Sequence, residues 1–404
     1  MVKKCASKIA VVWQQWGPYH YARFNAVTRN RGEDACLGIA LAGRSETYQW
    51  DAKRTGTRVG TVVTLNSTAT EESLPLFRLF RQIFSLLKRE RVEIALVPSY
   101  WPAQCLVVLL AARLAGVRCV MMNDSHAGTA RATGFKRFVK KQLLRLFDSA
   151  LLAGTPQKQH FIALGMAAEK VFLGYDVVDN EYFSQKSIEA GDRAAEMRER
   201  LGLPEKYILN LGRMVAKKNL HTLVDAYSQL ADLPHGLVLI GNGPDEKGLR
   251  SQALKRGLLV KDLKAGHPPE HARRTVFFGG FRQIDENPTL FSIADVFVLP
   301  SHTEEWGLVV NEAMACGLPI LVSRNVGSAH DLVHDGVNGF KFDPENAEEL
   351  SRLIRSICSN TAQRTKMGLE SRRIIANWGV GRFAEGASQA IGKARLKKSA
   401  NRGH

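Results

Sequence analysis

The chain has 404 residues, 45% apolar and 24% charged, which outruns one ordinary core and excludes an intrinsically disordered polymer, so two or three folded domains are expected. Lysine and arginine number 56 against 39 acids, a formal charge of +17 that calls for an anionic partner. Cys5, Cys36, Cys105, Cys119, Cys316 and Cys358 form no C-x-x-C pair and no His/Cys cluster, which argues against zinc and a disulfide framework and for a reducing cytosol.

Lys3 and Lys4 precede the short apolar run Ile9 to Trp13, too brief for a signal-peptide core and better read as a buried strand. Further strands are expected at Leu37–Leu41, Val59–Leu65, Ile94–Val97, Val117–Met122 and Ala150–Ala153. Helix-period segments alternate with them, the pattern of parallel sheets with crossover helices. Leu76 to Leu87 carries Leu76, Leu79, Phe80, Ile83, Phe84 and Leu87 at helical spacing beside Arg78 and Arg81, a stripe that either packs on a sheet or rests on an anionic lipid surface. The most apolar stretch, Cys105 to Gly116, is interrupted by Arg113, and no segment reaches the roughly 20 apolar residues that span a bilayer.

Between Arg131 and Arg145 lie six cations, among them Lys136, Arg137, Lys140 and Lys141, and no acid, while Phe135, Phe138, Val139, Leu143 and Leu144 supply apolar positions. That combination makes a basic amphipathic helix able either to pack as a surface helix or to rest on an anionic lipid surface. The tail Lys393 to Lys398 adds more positive charge. Nucleic acid is disfavoured as the partner, because no RNA-binding aromatic motif, zinc finger or helix-turn-helix is present.

Residues 1–183 therefore read as one Rossmann-like domain. The polar, charged segment 184–203, closed by Gly202 and Pro204, reads as a hinge, and 204–377 as a second Rossmann-like domain. The second domain's strands are expected at Tyr207–Leu211, Gly236–Ile240, Thr275–Phe278, Val296–Leu299, Ile320–Ser323 and Gly339–Phe342. After Tyr207–Leu211 comes Gly212-Arg213-Met214-Val215-Ala216-Lys217-Lys218-Asn219, then a helix with Asn219 in the capping position. Glycine turns follow two later strands, at Gly241-Asn242-Gly243-Pro244 and Gly279-Gly280. After Leu299-Pro300 runs Ser301-His302-Thr303-Glu304-Glu305-Trp306-Gly307-Leu308-Val309-Val310-Asn311-Glu312. Open α/β sheets bind ligands at the carboxyl ends of their strands, where helix N-termini face phosphate. Glu304 and Glu312, eight positions apart, fall in a loop and on the first turns of the next helix. Acids at such a place also suit the positive end of a helix dipole without any ligand.

The run from Ser301 resembles the E-x7-E signature of retaining GT-B glycosyltransferases of the family 4 type (glycosyl transferases group 1), although Glu305 and Trp306 stand where that family usually shows Pro and Phe. The glycine-arginine-lysine loop and the glycine turns resemble the same family in the same order. The resemblance implies two Rossmann-like domains facing each other across a cleft, with the last helix, 378–396, crossing back to the first domain. It implies transfer of a sugar from a nucleoside diphosphate sugar to a hydroxyl acceptor with retention, the acceptor being a glycan or a lipid-linked or polysaccharide precursor of the cell envelope. Nucleotide-sugar epimerases, which share the fold, are the alternative.

The resemblance places Glu304 on the donor sugar, Glu312 on the ribose hydroxyls, and Arg213 and Lys218 on the diphosphate. Gly243, Gly307, Leu308 and Val309 line the donor. With no D-x-D motif, no metal or other cofactor is expected, and protein cations neutralise the leaving group. In the first domain the resemblance assigns Gly17 to the loop that approaches donor phosphate and acceptor, and His126 to the donor sugar, with His20 in reserve. Together these readings imply a cytoplasmic enzyme held peripherally on the inner face of the membrane.

Overall fold

In a computed structural model, residues 7–44, 59–129 and 134–396 are described; Cys5, Arg131 and the tail beyond Leu396 lie outside them. The chain divides into two units, one running to Asp179 and resuming at Gly379, the other from Asn180 to Trp378.

The first unit is built on a seven-stranded parallel sheet of β1 (Ile9–Trp13), β2 (Cys36–Arg44), β3 (Thr61–Thr70), β4 (Ile94–Pro98), β5 (Arg118–Asn123), β6 (Ser149–Leu152) and β7 (Val171–Leu173). Their order is β3-β2-β1-β4-β5-β6-β7. Successive side chains of a strand face opposite sides, and β1 shows the consequence. Ala10 and Val12 join a core formed with the helices Leu76–Arg89 and Ala103–Leu114, whereas Ile9, Val11 and Trp13 join a second core on the other face. That second core is closed by the helices Pro18–Arg31 and Val380–Leu396. The last helix packs through Phe383, Ala387, Ala390, Ile391 and Ala394, and the Ser149 hydroxyl donates to the Ala390 carbonyl at 2.7 Å. Its small residues allow close approach: a Cβ on Gly386 would sit 2.3 Å from the Leu173 carbonyl oxygen.

The second unit repeats the plan with β8 (Tyr207–Leu211), β9 (Gly236–Ile240), β10 (Leu259–Asp262), β11 (Thr275–Phe278), β12 (Val296–Leu299), β13 (Ile320–Ser323) and β14 (Gly339–Phe342), in the order β10-β11-β9-β8-β12-β13-β14, all parallel. Each sheet reverses its winding once, between β1 and β4 in the first and between β8 and β12 in the second. Such a reversal leaves a crevice at the carboxyl ends, the place where open α/β sheets take ligands.

The segment 184–203 is not a hinge. It lies in two helices, Asn180–Gly191 and Ala194–Leu201, which bury Phe183, Ser187, Ala190, Met197 and Leu201 within the second unit. The change of unit falls instead at Asp179/Asn180 and at Trp378/Gly379.

The basic segment forms the helix Gly134–Leu144, of which only Leu144 is buried. Phe135 is 78% exposed and Phe138 56%, their rings stacked 6.4 Å apart. Leu76–Arg89, by contrast, buries Leu79, Ile83, Leu86 and Leu87 and behaves as a sheet-packing helix, with Phe77 exposed at its start. Among the described residues no helix is long and apolar enough to cross a membrane.

Candidate active site

The site is assembled on the second unit by the two strands that flank the reversal of winding. β8 delivers the loop Gly212–Asn219, and β12 delivers Pro300–Gly307. The loops are tied through the main chain, His302 N–H donating to the Lys217 carbonyl at 2.9 Å. Asn219 adds a side-chain tie, its carboxamide nitrogen donating to the carbonyls of Pro300 (3.1 Å) and Pro344 (2.8 Å). Asn219 occupies the expected position before the helix Leu220–Ser228, yet its side chain caps no helix amide; its Oδ1 accepts from the Thr222 hydroxyl at 2.9 Å. Its left-handed φ of 54° turns the carboxamide toward the neighbouring loops.

This scaffold brings Lys218 and Glu304 into a direct ion pair, their side chains 13% and 12% exposed. The Ser301 hydroxyl lies 3.5 Å from the same Glu304 oxygen. Lys217 belongs to the cluster as well: its ammonium lies 3.1 Å from Glu305 and 4.0 Å from Glu304. Burial works against charge on Lys217, but Glu304 and then Glu305 outweigh it and hold the amine above its usual range. Burial likewise opposes charge on Glu305, and Lys217 outweighs it, holding the carboxyl below its usual range. Arg213 is exposed beside this group and near enough to oppose the charge on Lys217.

Glu304 is fixed from behind as well. Gly327 N–H donates to its carbonyl at 3.1 Å, and the Ser328 amide to that of Trp306 at 3.0 Å. The Trp306 indole is fully buried, donates to Asn311 Oδ1 at 2.9 Å and packs 5.4 Å from Trp378. Gly307 then adopts φ +90°, where a Cβ would press on Leu299 and Val326 at 3.2 Å and on Glu304 at 3.4 Å. Glycine is the residue that takes this turn without strain. The helix Leu308–Ala315 starts there, and Leu308 and Val309 sit partly exposed on its first turn, whose amides have no partners inside the helix. Glu312 lies on the same helix, 3% exposed, and accepts from Asn287 Nδ2 at 3.0 Å.

Glycine turns close the neighbouring edge. Gly212 N–H donates to Ile240 O (2.9 Å), Met214 N–H to Asn242 O (2.8 Å) and Gly241 N–H to Gly280 O (2.8 Å), so the loops after β8, β9 and β11 stack on one another. A Cβ on Gly243 would lie 2.2 Å from the Met214 carbonyl oxygen. That approach accounts for a glycine at 243 whether or not the residue also meets a ligand.

On the first unit, Gly17 caps Pro18–Arg31 in an extended conformation, and its amide is already engaged: it donates to His20 Nδ1 at 3.0 Å. His20 packs 4.8 Å from the Trp13 ring at the end of β1. Burial, then the charge of Arg23, lowers its pKa to about 3. With Nδ1 accepting, the neutral ring carries its proton on Nε2. His126 follows β5 in a turn where its Nδ1 accepts from Gly128 N–H at 3.2 Å and its amide donates to the Thr129 hydroxyl at 3.1 Å. Gly17, His20 and His126 thus share the carboxyl edge of the first sheet. From sequence, neither the Asn287–Glu312 contact nor the Lys217–Glu305 pair was read; two adjacent lysines facing two adjacent glutamates is the signal that could have shown the latter.

Two Rossmann-like units of this topology constitute the GT-B fold. The crystal structure of Anabaena HepE in complex with UDP and glucose matches 96% of this chain and 99% of its own, with a TM-score of 0.70 at 19% identity, a likeness of fold. Residues 194–374 match the family described as Glycosyl transferases group 1. Among curated proteins, the sulfoquinovosyl transferase of Arabidopsis thaliana is 31% identical over 237 residues, 57% of this chain and 41% of that protein. The GDP-mannose-dependent alpha-(1-6)-phosphatidylinositol monomannoside mannosyltransferase of Mycolicibacterium smegmatis is 29% identical over 198 residues, 46% of this chain and 48% of that protein. The chain spans about half the length of the curated relatives it matches.

Proposed function

We propose that this chain is a glycosyltransferase that takes a sugar from a nucleoside diphosphate donor and delivers it, with retention, to a hydroxyl of a glycan or lipid-linked acceptor. The observation that carries the reading is the Lys218–Glu304 pair at the reversal of the second sheet, with Lys217, Glu305 and Arg213 around it. Breaking the sugar–phosphate bond leaves growing negative charge on the diphosphate, and cations already in place stabilise it without reorganising. Lys218 and Arg213 are the groups for that charge, while Glu304 addresses the sugar and Glu312 the ribose. No metal is needed in this scheme, and the departing diphosphate can itself accept the proton of the acceptor hydroxyl. His126 completes the donor-sugar contacts in the reading.

Two relatives whose names include a sulfoquinovosyl transferase and a phosphatidylinositol monomannoside mannosyltransferase support a lipid-linked acceptor. The exposed Phe135 and Phe138 beside Lys136, Arg137 and Lys141 support placement on an anionic membrane surface. The test is release of nucleoside diphosphate from UDP-, GDP- and ADP-sugars, with and without a membrane lipid extract and with and without EDTA. Glu304→Ala and Lys218→Ala, with melting temperatures kept, are expected to abolish release. Full activity in either variant refutes the site, and a new sugar formed from donor alone would favour an epimerase.

A further inference from the structure

The helix Asn287–Ser292 follows β11 and begins with a residue that packing alone does not explain. Asn287 is 3% exposed, among Pro288, Leu290 and Phe291, which are buried as well. Its Nδ2 donates to Glu312 Oε2 at 3.0 Å, and its Oδ1 is buried with no hydrogen-bond partner among the described residues. Turning the amide over would set a carbonyl oxygen against a carboxylate, so the contact itself fixes the orientation. A buried carbonyl without a donor is unfavourable, and an apolar residue of similar size would avoid it. What such a residue could not do is hold the Glu312 carboxylate.

The chain leading to Asn287 is braced for this purpose. Arg282 Nε donates to the Gly279 carbonyl at 3.1 Å, and the Glu286 carboxylate accepts from the Gln283 amide at 3.2 Å. Asn287 N–H donates to the Ile284 carbonyl at 3.3 Å. Glu312 stands on a different helix, so the amide–carboxylate bond is a brace between two elements that both rise from the carboxyl edge of the same sheet.

We propose that Asn287 is a positioning residue that sets the plane of the Glu312 carboxylate for the vicinal diol of the donor's ribose, and so makes the site select ribonucleotides over deoxyribonucleotides. This rests on the reading of the second unit as the donor site. A carboxylate held by the Asn287 amide turns less freely, and two adjacent hydroxyls bind a fixed plane better than a rotating one. A group that only supports the fold would affect ribo and deoxy ligands alike.

The experiment is calorimetric titration of the full chain with UDP, GDP and ADP and with their 2′-deoxy forms, for the parent protein and for Asn287→Leu and Asn287→Ala. The parent is expected to bind at least one ribonucleotide roughly tenfold or more tighter than its 2′-deoxy form. In Asn287→Leu that ratio should collapse to about threefold or less through weaker ribonucleotide binding, with deoxy binding unchanged and a cooperative melting transition retained. A retained ratio in both variants overturns the proposal, as does a parent protein indifferent to the 2′-hydroxyl. Failure of the parent to bind any of the six ligands would instead refute the donor site.

Discussion

Replacing Glu304 by glutamine should tighten the binding of a bare nucleoside diphosphate while destroying sugar transfer. Lys218 is paired with Glu304, so a diphosphate must first draw the lysine away from its carboxylate. A hydrogen bond between charged groups contributes about 1.5–3 kcal/mol. The pair is mostly buried, so this range applies better than that of an exposed surface bridge. Part is regained on exchange, because Lys217, 4.0 Å from Glu304, can close on the carboxylate that Lys218 leaves. The residual penalty is about 1–1.5 kcal/mol, and its removal by glutamine should lower the dissociation constant roughly five- to tenfold. Transfer should fall by about 10²–10³, since the sugar loses its charged partner at the moment charge separates. Calorimetry with whichever of UDP, GDP and ADP the protein binds, beside turnover of the sugar-bearing donor, measures both. Unchanged or weaker nucleoside diphosphate binding in a folded Glu304→Gln protein would refute the exchange of partners.

Replacing Lys136, Arg137, Lys140 and Lys141 by glutamine should weaken binding to anionic vesicles by at least roughly tenfold, each cation being worth about 1 kcal/mol near the lipid before salt screening; unchanged co-sedimentation would dismiss membrane contact. His20 should make the fold acid-sensitive. Its folded pKa of about 3 lies below the unfolded value of 6.5, so between them the unfolded chain binds the extra proton, and stability, full above about 6.5, is lost as pH falls. The slope is at most about 1.4 kcal/mol per pH unit, reduced by the ring's partial access to water. Parallel melting curves of the parent and His20→Gln across that window would refute it. Gly307→Ala should cost about 1–2 kcal/mol for a left-handed alanine and disturb Glu304, which its Cβ would touch; an unchanged melting temperature would refute the strain.

The second sheet was legible because each of Tyr207–Leu211, Gly236–Ile240, Thr275–Phe278, Val296–Leu299, Ile320–Ser323 and Gly339–Phe342 stands out as a short apolar run between turn residues, and those are the bounds the strands have. The two strands that sequence did not show fail this test in different ways. Val171–Leu173 is three residues long, and Leu259–Asp262 is an edge strand whose Lys261 and Asp262 are exposed. The segment 184–203 misled through composition. Its helices bury small or isolated residues, Ser187 and Ala190 among them, so the apolar period is faint while the solvent face is dense in charge. The glutamate spacing and the lysine loop could be read because they are local. The bonds Asn287–Glu312 and Lys217–Glu305 join residues 25 and 88 positions apart, and only the folded sheet edge reveals them.

The two groups of cations also differ in a way that net charge conceals. In the site, Lys217 and Lys218 face Glu304 and Glu305, so these four groups balance one another and Arg213 supplies the excess. A site arranged in this way folds without a ligand, because no buried charge is left unpaired. An arriving diphosphate then competes for lysines that already have partners, and selectivity follows, since only a ligand that also gives Glu304 hydroxyls to bind compensates the exchange. From Phe135 to Arg145, by contrast, the sequence itself holds five cations and no acid, and Phe135 and Phe138 beside them face solvent. Exposed cations on such a surface attract anions over a long range, so that attraction should be weakly selective and strongly reduced by salt. Salt should therefore detach the protein from vesicles at concentrations that leave nucleoside diphosphate binding nearly intact. Loss of both at the same ionic strength would show that the two groups of charge act as one.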